Sequence, residues 1–383
     1  MTSKSKMSFS LHGRSYSYIK RLGSGGKAVV HLVRGDNNML YAAKVSTDLH
    51  PEMVEEMLAE DPNFKGPFTS REQIEEEARI MNFVKTKLYG RYFSNFVYYV
   101  DSATLPSQEL PTAMRNQYNE DVAVIIESYV DGPTIQGLFD EGAVLDVFKV
   151  ITDILSALYT LRSVGANYLD LADENVMYDS ISNNFVLIDF DDVVVRDVAF
   201  VGTIPGYEPP LGGSYKSSPL DFLLELLIGT YATEVVDPRF EQFRLATKEI
   251  DEPLFWIKTF SQLFPERDVI IHARDGDITY RNGEVVAEVN ADTLIPNLDY
   301  EETFRVIRDR FKAVGVTLSP NTSYQNYHRL ESALTFYQKG TVEQKRIAKE
   351  ILSRYHLLKN YSSPADLKGV SVSQLMSMLP TLY

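Results

Sequence analysis

Two acidic stretches carry the residues whose types and spacing could do chemistry. Asp170-Leu171-Ala172-Asp173-Glu174-Asn175 places a carboxylate five positions before an amide. Ile188-Asp189-Phe190-Asp191-Asp192 places further carboxylates at the end of the apolar run Phe185-Val186-Leu187-Ile188. Phosphoryl transfer needs a base near the attacking hydroxyl, and an Asp and an Asn to hold the metal ions that neutralise phosphate charge. Asp170, Asn175 and Asp189 are of those types and stand in that order. Either stretch alone is a weak signal, because Asp-rich turns are common.

Upstream features strengthen the pair. Gly23-Ser24-Gly25-Gly26 lies between two β-rich runs, in the spacing Gly-x-Gly-x-x-Ala-x-Val that ends at Val30. Such a turn lets backbone approach phosphate oxygens closely, although most glycine-rich turns are only hairpins. Lys44 then interrupts the apolar run Leu40-Tyr41-Ala42-Ala43-Lys44-Val45. A lysine in a core strand wants an anionic partner, since lysine is almost never buried unpaired. Glu75, Glu76 and Glu77 follow on an amphipathic segment, and Glu77 is the best placed for Lys44 because it lies three before Ile80. The ordinary alternative is a solvated acidic face.

The elements that must position these residues can be read from periodicity. Residues 16–46 form a β-meander, with Asp36-Asn37-Asn38 as a turn. Residues 51–61 are helical, Ser70 is a candidate N-cap, and Arg71 to Lys87 is an amphipathic helix with Ile74, Ala78 and Met81 on its apolar face. Phe96–Val100 and Val122–Ile126 are strands, and Asp131-Gly132-Pro133 breaks the chain as a hinge. Val144–Val164 and Leu220–Ile228 are apolar helices. Between 267 and 290, Asp275-Gly276 and Asn282-Gly283 separate three short β-rich runs, a strong hairpin signal. Residues 300–313, 322–338 and 341–359 are helical, with a short helix in Leu367–Leu379.

Composition bounds the rest. The 383 residues, 44% hydrophobic and 24% charged, are ordinary for a soluble globular chain. A net charge of −15 argues against general nucleic-acid binding. No apolar run reaches the ~18 residues of a membrane-spanning helix. The basic first six residues lack a following apolar stretch, so they are not expected to be a secretory signal. Zero cysteines exclude disulfides and thiol catalysis. An intracellular setting is the default expectation.

The ordered set of glycine turn, strand lysine, helix glutamate, hinge, Asp170 turn and Asp189 resembles a divergent member of the eukaryotic-like protein kinase superfamily. It spans roughly residues 16–230. The resemblance implies an α+β, bilobal protein-kinase-like fold: a small antiparallel β lobe with one helix, and a larger helical lobe with a β-hairpin insertion and a helical C-terminal extension. The corresponding divisions are 1–130, 131–266, 267–290 and 291–383. It implies ATP, with Mg2+ or Mn2+, as cofactors and a protein substrate, with Ser or Thr as acceptor. Lys44 would grip the α- and β-phosphates, braced by Glu77, under the loop of Gly23, Ser24, Gly25, Gly26 and Val30. Asp170 would orient or deprotonate the acceptor hydroxyl, and Asn175 and Asp189 would hold the metal. Backbone around Ile126–Val130 would meet adenine. Gly202 to Pro209 resembles the end of an activation segment, and Asp221 resembles the Asp that braces the catalytic loop.

The departures are informative. Tyr168-Leu169 stands where the family has His-Arg, and Phe190 to Gly206 holds one hydroxyl residue, Thr203. No cation therefore waits for a phosphorylated loop residue, and activation by loop phosphorylation is not expected. Ala172 replaces a lysine, for which Lys27 is a candidate substitute, and Asp191 replaces a glycine. Ile188 to Asp192 also resembles small-molecule phosphotransferases of the aminoglycoside and choline kinase type. A pseudokinase scaffold is a third class. The style resembles bacterial secreted effector kinases, which implies a cytoplasmic chain or one delivered into a host-cell cytoplasm.

Basic residues gather late in the chain. Arg305, Arg308, Arg310 and Lys312 share one helical segment, and Lys345, Arg346, Lys349, Arg354 and Lys359 another. The functional expectation is an anion site, with Arg305, Arg308, Lys345, Arg346 and Lys349 as its candidates, for an inositol phosphate or phosphoinositide headgroup. The ordinary alternative is helix faces paired with Glu301, Glu302, Glu343 and Glu350. Calorimetry with inositol hexakisphosphate checks it: a saturable heat supports the site, and no heat with no thermal shift removes it.

Overall fold

The computed structural model describes residues 7–47, 59, 69–115, 120–179, 184–195, 219–230, 237–274, 276–290, 333–334, 336–338, 340–354, 362–368, 370, 374–375 and 378–379. The chain divides into two compact units, one of residues 1–178 with 184–298 and one of 179–183 with 299–383. Its architecture is mixed α/β with an antiparallel sheet. Among the described residues no helix is long and apolar enough to cross a membrane.

The first unit opens with β1 (Ser8–Leu11), β2 (Arg14–Ser24), β3 (Ala28–Gly35) and β4 (Leu40–Ser46). Helix α1 (Ser70–Lys87) follows, then β5 (Tyr99–Pro106) and β6 (Asp121–Ser128). The six strands form one sheet in the order β1-β2-β3-β4-β6-β5, every neighbouring pair antiparallel. β1 is an addition to the expected meander, turned by His12 and Gly13 at φ 43° and 85°. The sheet curls, because His12 beside one edge strand reaches Asp101 on the other at 2.8 Å.

α1 begins one residue earlier than expected. Its cap is Thr69, not Ser70: the Thr69 hydroxyl accepts from the Glu72 amide and the Glu72 carboxylate accepts from the Thr69 amide. This reciprocal capping box satisfies two otherwise orphaned amides, while Ser70 is buried. Ile74, Ala78, Ile80, Met81 and Val84 are buried on the inward side of the helix. The expected strand at Phe96–Val100 starts later. Phe96 makes only an isolated parallel bridge to Leu187.

The remainder of this unit is built round α3. Helix α2 (Ile135–Asp140) is capped by Thr134, and α3 (Val147–Ser163) by Asp146. α3 ends where Gly165 takes φ 84°. Short strands β7 (Ala166–Tyr168), β8 (Val176–Asp179), β9 (Asn184–Leu187) and β10 (Val193–Val195) pair as β7–β10 and β8–β9. Helix α4 (Pro219–Glu225) continues as a π turn through Leu226–Thr230. Two helices the periodicity did not reveal, α5 (Pro238–Thr247) and α6 (Pro253–Leu263), each begin on a proline, where the missing amide costs nothing. Phe148, Phe240, Phe243, Phe260 and Phe264 pack ring against ring at centroid distances of 4.8–6.3 Å. Trp256 is buried among them as core. The three expected short strands are present as one sheet of β11 (Val269–Ala273), β12 (Gly276–Arg281) and β13 (Glu284–Asn290). Asn282 and Gly283 turn β12 into β13 at φ 51° and 79°, the pair of positive values a two-residue hairpin requires.

In the second unit, α7 (Val342–Arg354) buries Ile347, Ala348, Ile351 and Leu352. The buried Glu350 carboxylate accepts from Arg354 and from the Ser363 hydroxyl. The segments 300–313 and 202–210, and nearly all of 51–61, lie outside the described residues, as does most of 322–338.

One buried carboxylate ties α3 to the β8–β9 hairpin. Asp153 accepts from the Phe185 amide at 2.8 Å and from Lys149 at 2.8 Å. Removing it leaves a buried amide without an acceptor. Asp153→Ala is expected to cost about 2–4 kcal/mol in urea unfolding, and Asp153→Asn distinctly less. Equal losses for the two variants would remove this account.

Candidate functional site

Strand pairing brings the two acidic stretches together. β7 and β10 lie side by side, with Tyr168 opposite Val193, and β8 pairs β9. The Asp170–Asn175 turn leaves β7 and enters β8, while Asp189 lies between β9 and β10. The Ile188 amide donates to the Asn175 carbonyl at 3.0 Å. Residues nineteen positions apart thus become neighbours. Within the first turn the Asn175 amide group donates to both the carboxylate and the carbonyl of Asp170, at 2.7 and 3.1 Å. Asp170 is exposed and Asn175 is buried.

Lys44 meets them from the sheet. It sits on β4 between Val30 of β3 and Ile125 of β6 and is 8% exposed. Its ammonium lies 2.7 Å from the Glu77 carboxylate and 2.7 Å from that of Asp189. Of the consecutive Glu75, Glu76 and Glu77 on α1, only Glu77 does this: Glu75 accepts from the Thr104 hydroxyl and Glu76 pairs with Arg79. Glu77 also accepts from the Phe190 amide at 3.1 Å. Burial pushes the Glu77 carboxyl up, against the pull of Lys44. Burial works the same way on Asp189, but there Lys44, the Asp191 amide and Lys27 together outweigh it and hold the group below its ordinary range. For Lys44, burial pulls down and the surrounding carboxylates push up further, so the ammonium stays charged. Asp189 adopts φ 59°, a left-handed backbone that costs a non-glycine residue roughly 1 kcal/mol or more and that collects at functional positions.

A further carboxyl, not singled out by spacing, shares this face. Glu127 on β6 stands opposite Ala42 of β4, two positions along from the Lys44–Ile125 pair, and is 8% exposed. Burial, then the nearby Glu77, push its carboxyl up to about 8, despite Lys44. One ammonium balances Glu77 and Asp189, and the third carboxyl stays protonated. The signal that could have found it is the one that found Lys44: a charged residue in an apolar strand, here Val122-Ala123-Val124-Ile125-Ile126-Glu127.

The glycine turn brings a second lysine to these carboxylates. Gly23 and Ser24 end β2 opposite Val30 and Val29, the Gly25 amide donates to the Ala28 carbonyl at 2.9 Å, and Thr47 donates to the Lys27 carbonyl. A Cβ at Gly23, Gly25 or Gly26 would meet nothing within 4 Å. Packing gives no reason for three glycines here. The turn is exposed and bare of side chains over these three positions, which leaves its backbone open to the approach of an anion. Lys27, from the same turn, reaches the Asp191 carboxylate. Burial lowers the Lys27 ammonium, but Asp191, then Asp192 and Asp189, raise it further. At Asp170, desolvation raises the carboxyl, with Asp191 and Asp189 adding to it.

Tyr168 links the two acidic stretches directly. Its hydroxyl donates to the Ile188 carbonyl at 2.5 Å, and its ring meets Phe190 edge-on at 6.0 Å. The residue therefore positions the turn that carries Asp189. Asp221 is bonded elsewhere: its carboxylate takes Arg244 at 3.0 Å, with Lys248 at 4.0 Å. In α7, Arg346 is held by Glu343 and Asp366, Lys349 lies over the Tyr337 ring, and Lys345 is half-buried. Arg305 and Arg308 lie outside the described residues.

The donor set suits a hard cation shared with phosphate. Among the described residues no three His, Cys, Asp or Glu side chains gather as a self-sufficient metal site. Magnesium characteristically takes one or two protein oxygens and fills the rest with phosphate and water. Asp189 and Asn175 could supply those oxygens. No known family model matches this chain, and no curated protein matches it.

Glu127 makes stability depend on pH in a predictable sense. Its folded value of about 8 exceeds the ordinary 4.5, so between these values the folded chain holds a proton that the unfolded chain has released. The stability this contributes is complete below pH 4.5 and is lost as pH rises through 8. Glu127→Gln carries no such loss. Its unfolding free energy is therefore expected to gain on the wild type from about pH 5 to about pH 8, by on the order of a few kcal/mol at most. A constant gap across that range would rule out the buried neutral acid.

Proposed function

We propose that this chain is an ATP-dependent phosphotransferase of divergent protein-kinase type, acting on a Ser or Thr hydroxyl of a protein. The observation that carries this reading is the single buried ammonium of Lys44, 2.7 Å from both Glu77 and Asp189, beside the turn in which Asn175 holds Asp170. The proposal includes a two-lobed, kinase-like division. The small lobe is residues 1–130 and the large one 131–266, with the insertion at 267–290 and the extension at 291–383.

In this reading Lys44 binds the α- and β-phosphates, and Glu77 keeps its stem oriented. The exposed backbone of the glycine turn approaches the phosphate oxygens. Asp189 and Asn175 hold Mg2+ or Mn2+, which neutralises charge on the phosphates when bound. Asp170 orients the acceptor hydroxyl and takes its proton. The acceptor oxygen bonds to the γ-phosphorus as the bond to the β-γ bridging oxygen breaks, and ADP leaves. Lys27 supplies the cation that Ala172 does not, since it already reaches into the same carboxylates. A cytoplasmic setting, of the producing cell or of a host cell, goes with this use of ATP.

Switching would not run through loop phosphorylation, because Leu169 offers no cation beside Asp170. An anionic activator such as an inositol phosphate, or a partner protein, is the remaining proposal for control. The pairing of Arg346 with two carboxylates supports a structural role for α7 instead. A second reading, transfer to a small alcohol or aminoglycoside, is favoured by the extra carboxylates Asp191 and Asp192 on the cleft.

Radiolabelled ATP with Mg2+, generic protein acceptors and host-cell extracts tests the proposal, beside a panel of small alcohols and aminoglycosides. Protein labelling that falls at least about 100-fold in Asp189→Ala and Asp170→Ala is expected. Label on small molecules alone would select the second reading. Nucleotide binding without transfer, and biological output untouched by both variants, would select a scaffold. Lys27→Ala is expected to lower kcat by about 10–100-fold with little change in KM for ATP. An unchanged kcat would remove its role.

A further inference from the structure

Glu127 is a polar group that its fold does not explain. It is 8% exposed, and among the described residues it has no hydrogen-bond or ion-pair partner. Buried carboxyls are ordinarily satisfied, because leaving one without a partner costs desolvation with no return. Its neighbours locate it. Strand pairing puts Leu32, Ala42 and Glu127 in one row across β3, β4 and β6, and Val30, Lys44 and Ile125 in the next. Residues opposite one another, and those two apart along a strand, share a face. Glu127 therefore projects from the face that carries Lys44. The charges that act on it are those of Glu77, Lys44 and Asp189, which places its carboxyl toward the cleft.

The direction along that face is also determined. The glycine turn joins β2 to β3 at the Ser46 end of β4, since Ala28 stands opposite Ser46. Passing away from it, Lys44 comes first and the Ala42–Glu127 row next, about 7 Å further on at the usual strand rise. If phosphates lie at the glycine turn and Lys44, the nucleoside extends toward that next row. There Leu32 and Ala42 are buried and offer only apolar surface. Such a slot with one placed polar group is the usual design for fixing a ligand's orientation.

We propose that the Glu127 side chain is a nucleobase-recognising group, bonding the exocyclic amino group of a 6-aminopurine nucleotide. The proposal rests on the phosphotransfer reading of the same cleft. A protonated carboxyl offers a donor and an acceptor together, and an amino group beside a ring nitrogen presents the complementary pair. The small side chain of Ala42 leaves room beside it. Glu127 does not touch the reacting phosphoryl group, so its effect belongs to binding.

The test compares ATP with purine riboside 5′-triphosphate, which lacks the amino group, by equilibrium binding to the full chain with Mg2+. Wild type is expected to bind ATP about tenfold more tightly or better. Glu127→Gln, which keeps a donor and an acceptor, should retain that preference, whereas Glu127→Leu should bind both alike. An undiminished ATP preference in a folded Glu127→Leu chain overturns the proposal and leaves the phosphotransfer reading standing. Absence of binding of either nucleotide to wild type overturns both. If Glu127→Leu does not fold, difference infrared spectra of the wild type decide. A shift of a protonated-carboxyl band with ATP but not with the desamino analogue supports the contact. The same shift with both, or with neither, removes it.

Discussion

A lysine ammonium out of water, Lys44, is the constraint on which the rest of this molecule turns. Desolvating it is costly, and the cost is offset only if carboxylates meet it in good geometry. Glu77 comes from α1 and Asp189 from the β9–β10 connection, each at 2.7 Å. Three separate elements, the sheet, the helix and the turn, must therefore agree in position for the ion pair to form. Removing one partner would leave uncompensated charge buried, at a cost of about 3–5 kcal/mol. The same cluster explains the titration of its surroundings. One cation can hold Glu77 and Asp189, and Glu127, third in line, keeps its proton.

The Asp189 turn is held as firmly as the ion pair demands. Tyr168 bonds the carbonyl before it, Glu77 accepts from the amide after it, and Phe190 packs against Tyr168 and Phe96. These contacts maintain a left-handed backbone at Asp189 that the chain would not choose locally. Tyr168 anchors this turn with both ends of its side chain. Its hydroxyl reaches a carbonyl and its ring covers an apolar neighbour.

Parts of the fold were legible from pattern because local chemistry determines them. The 3.6-residue periodicity of Ile74, Ala78 and Met81 marks α1, and Asn282-Gly283 marks the β12–β13 turn, where only residues tolerant of positive φ fit. The boundaries were less secure. Thr69 takes the cap that Ser70 could have taken, because Glu72 lies three residues after Thr69 and completes the reciprocal pair. α5 and α6 escaped notice because each is short and begins on a proline, which reads first as a break. β1 is four residues long, too short for alternation to stand out.

Residue types and order alone singled out Asp170, Asn175, Asp189, Lys44 and the glycine turn as the candidates for chemistry. A charge in an apolar run or a bare turn is costly unless something answers it, and that cost is visible one residue at a time. Tertiary structure alone decided who answers whom. Glu77 rather than Glu75 or Glu76 reaches Lys44, Lys27 takes Asp191, and Arg346 is taken by Glu343 and Asp366. Those choices depend on strand register and helix rotation, and a shift of one residue sends a side chain to the opposite face. Glu127 shows the limit most clearly. Its residue type was in plain view, but only the register opposite Ala42 puts it on the face that carries Lys44.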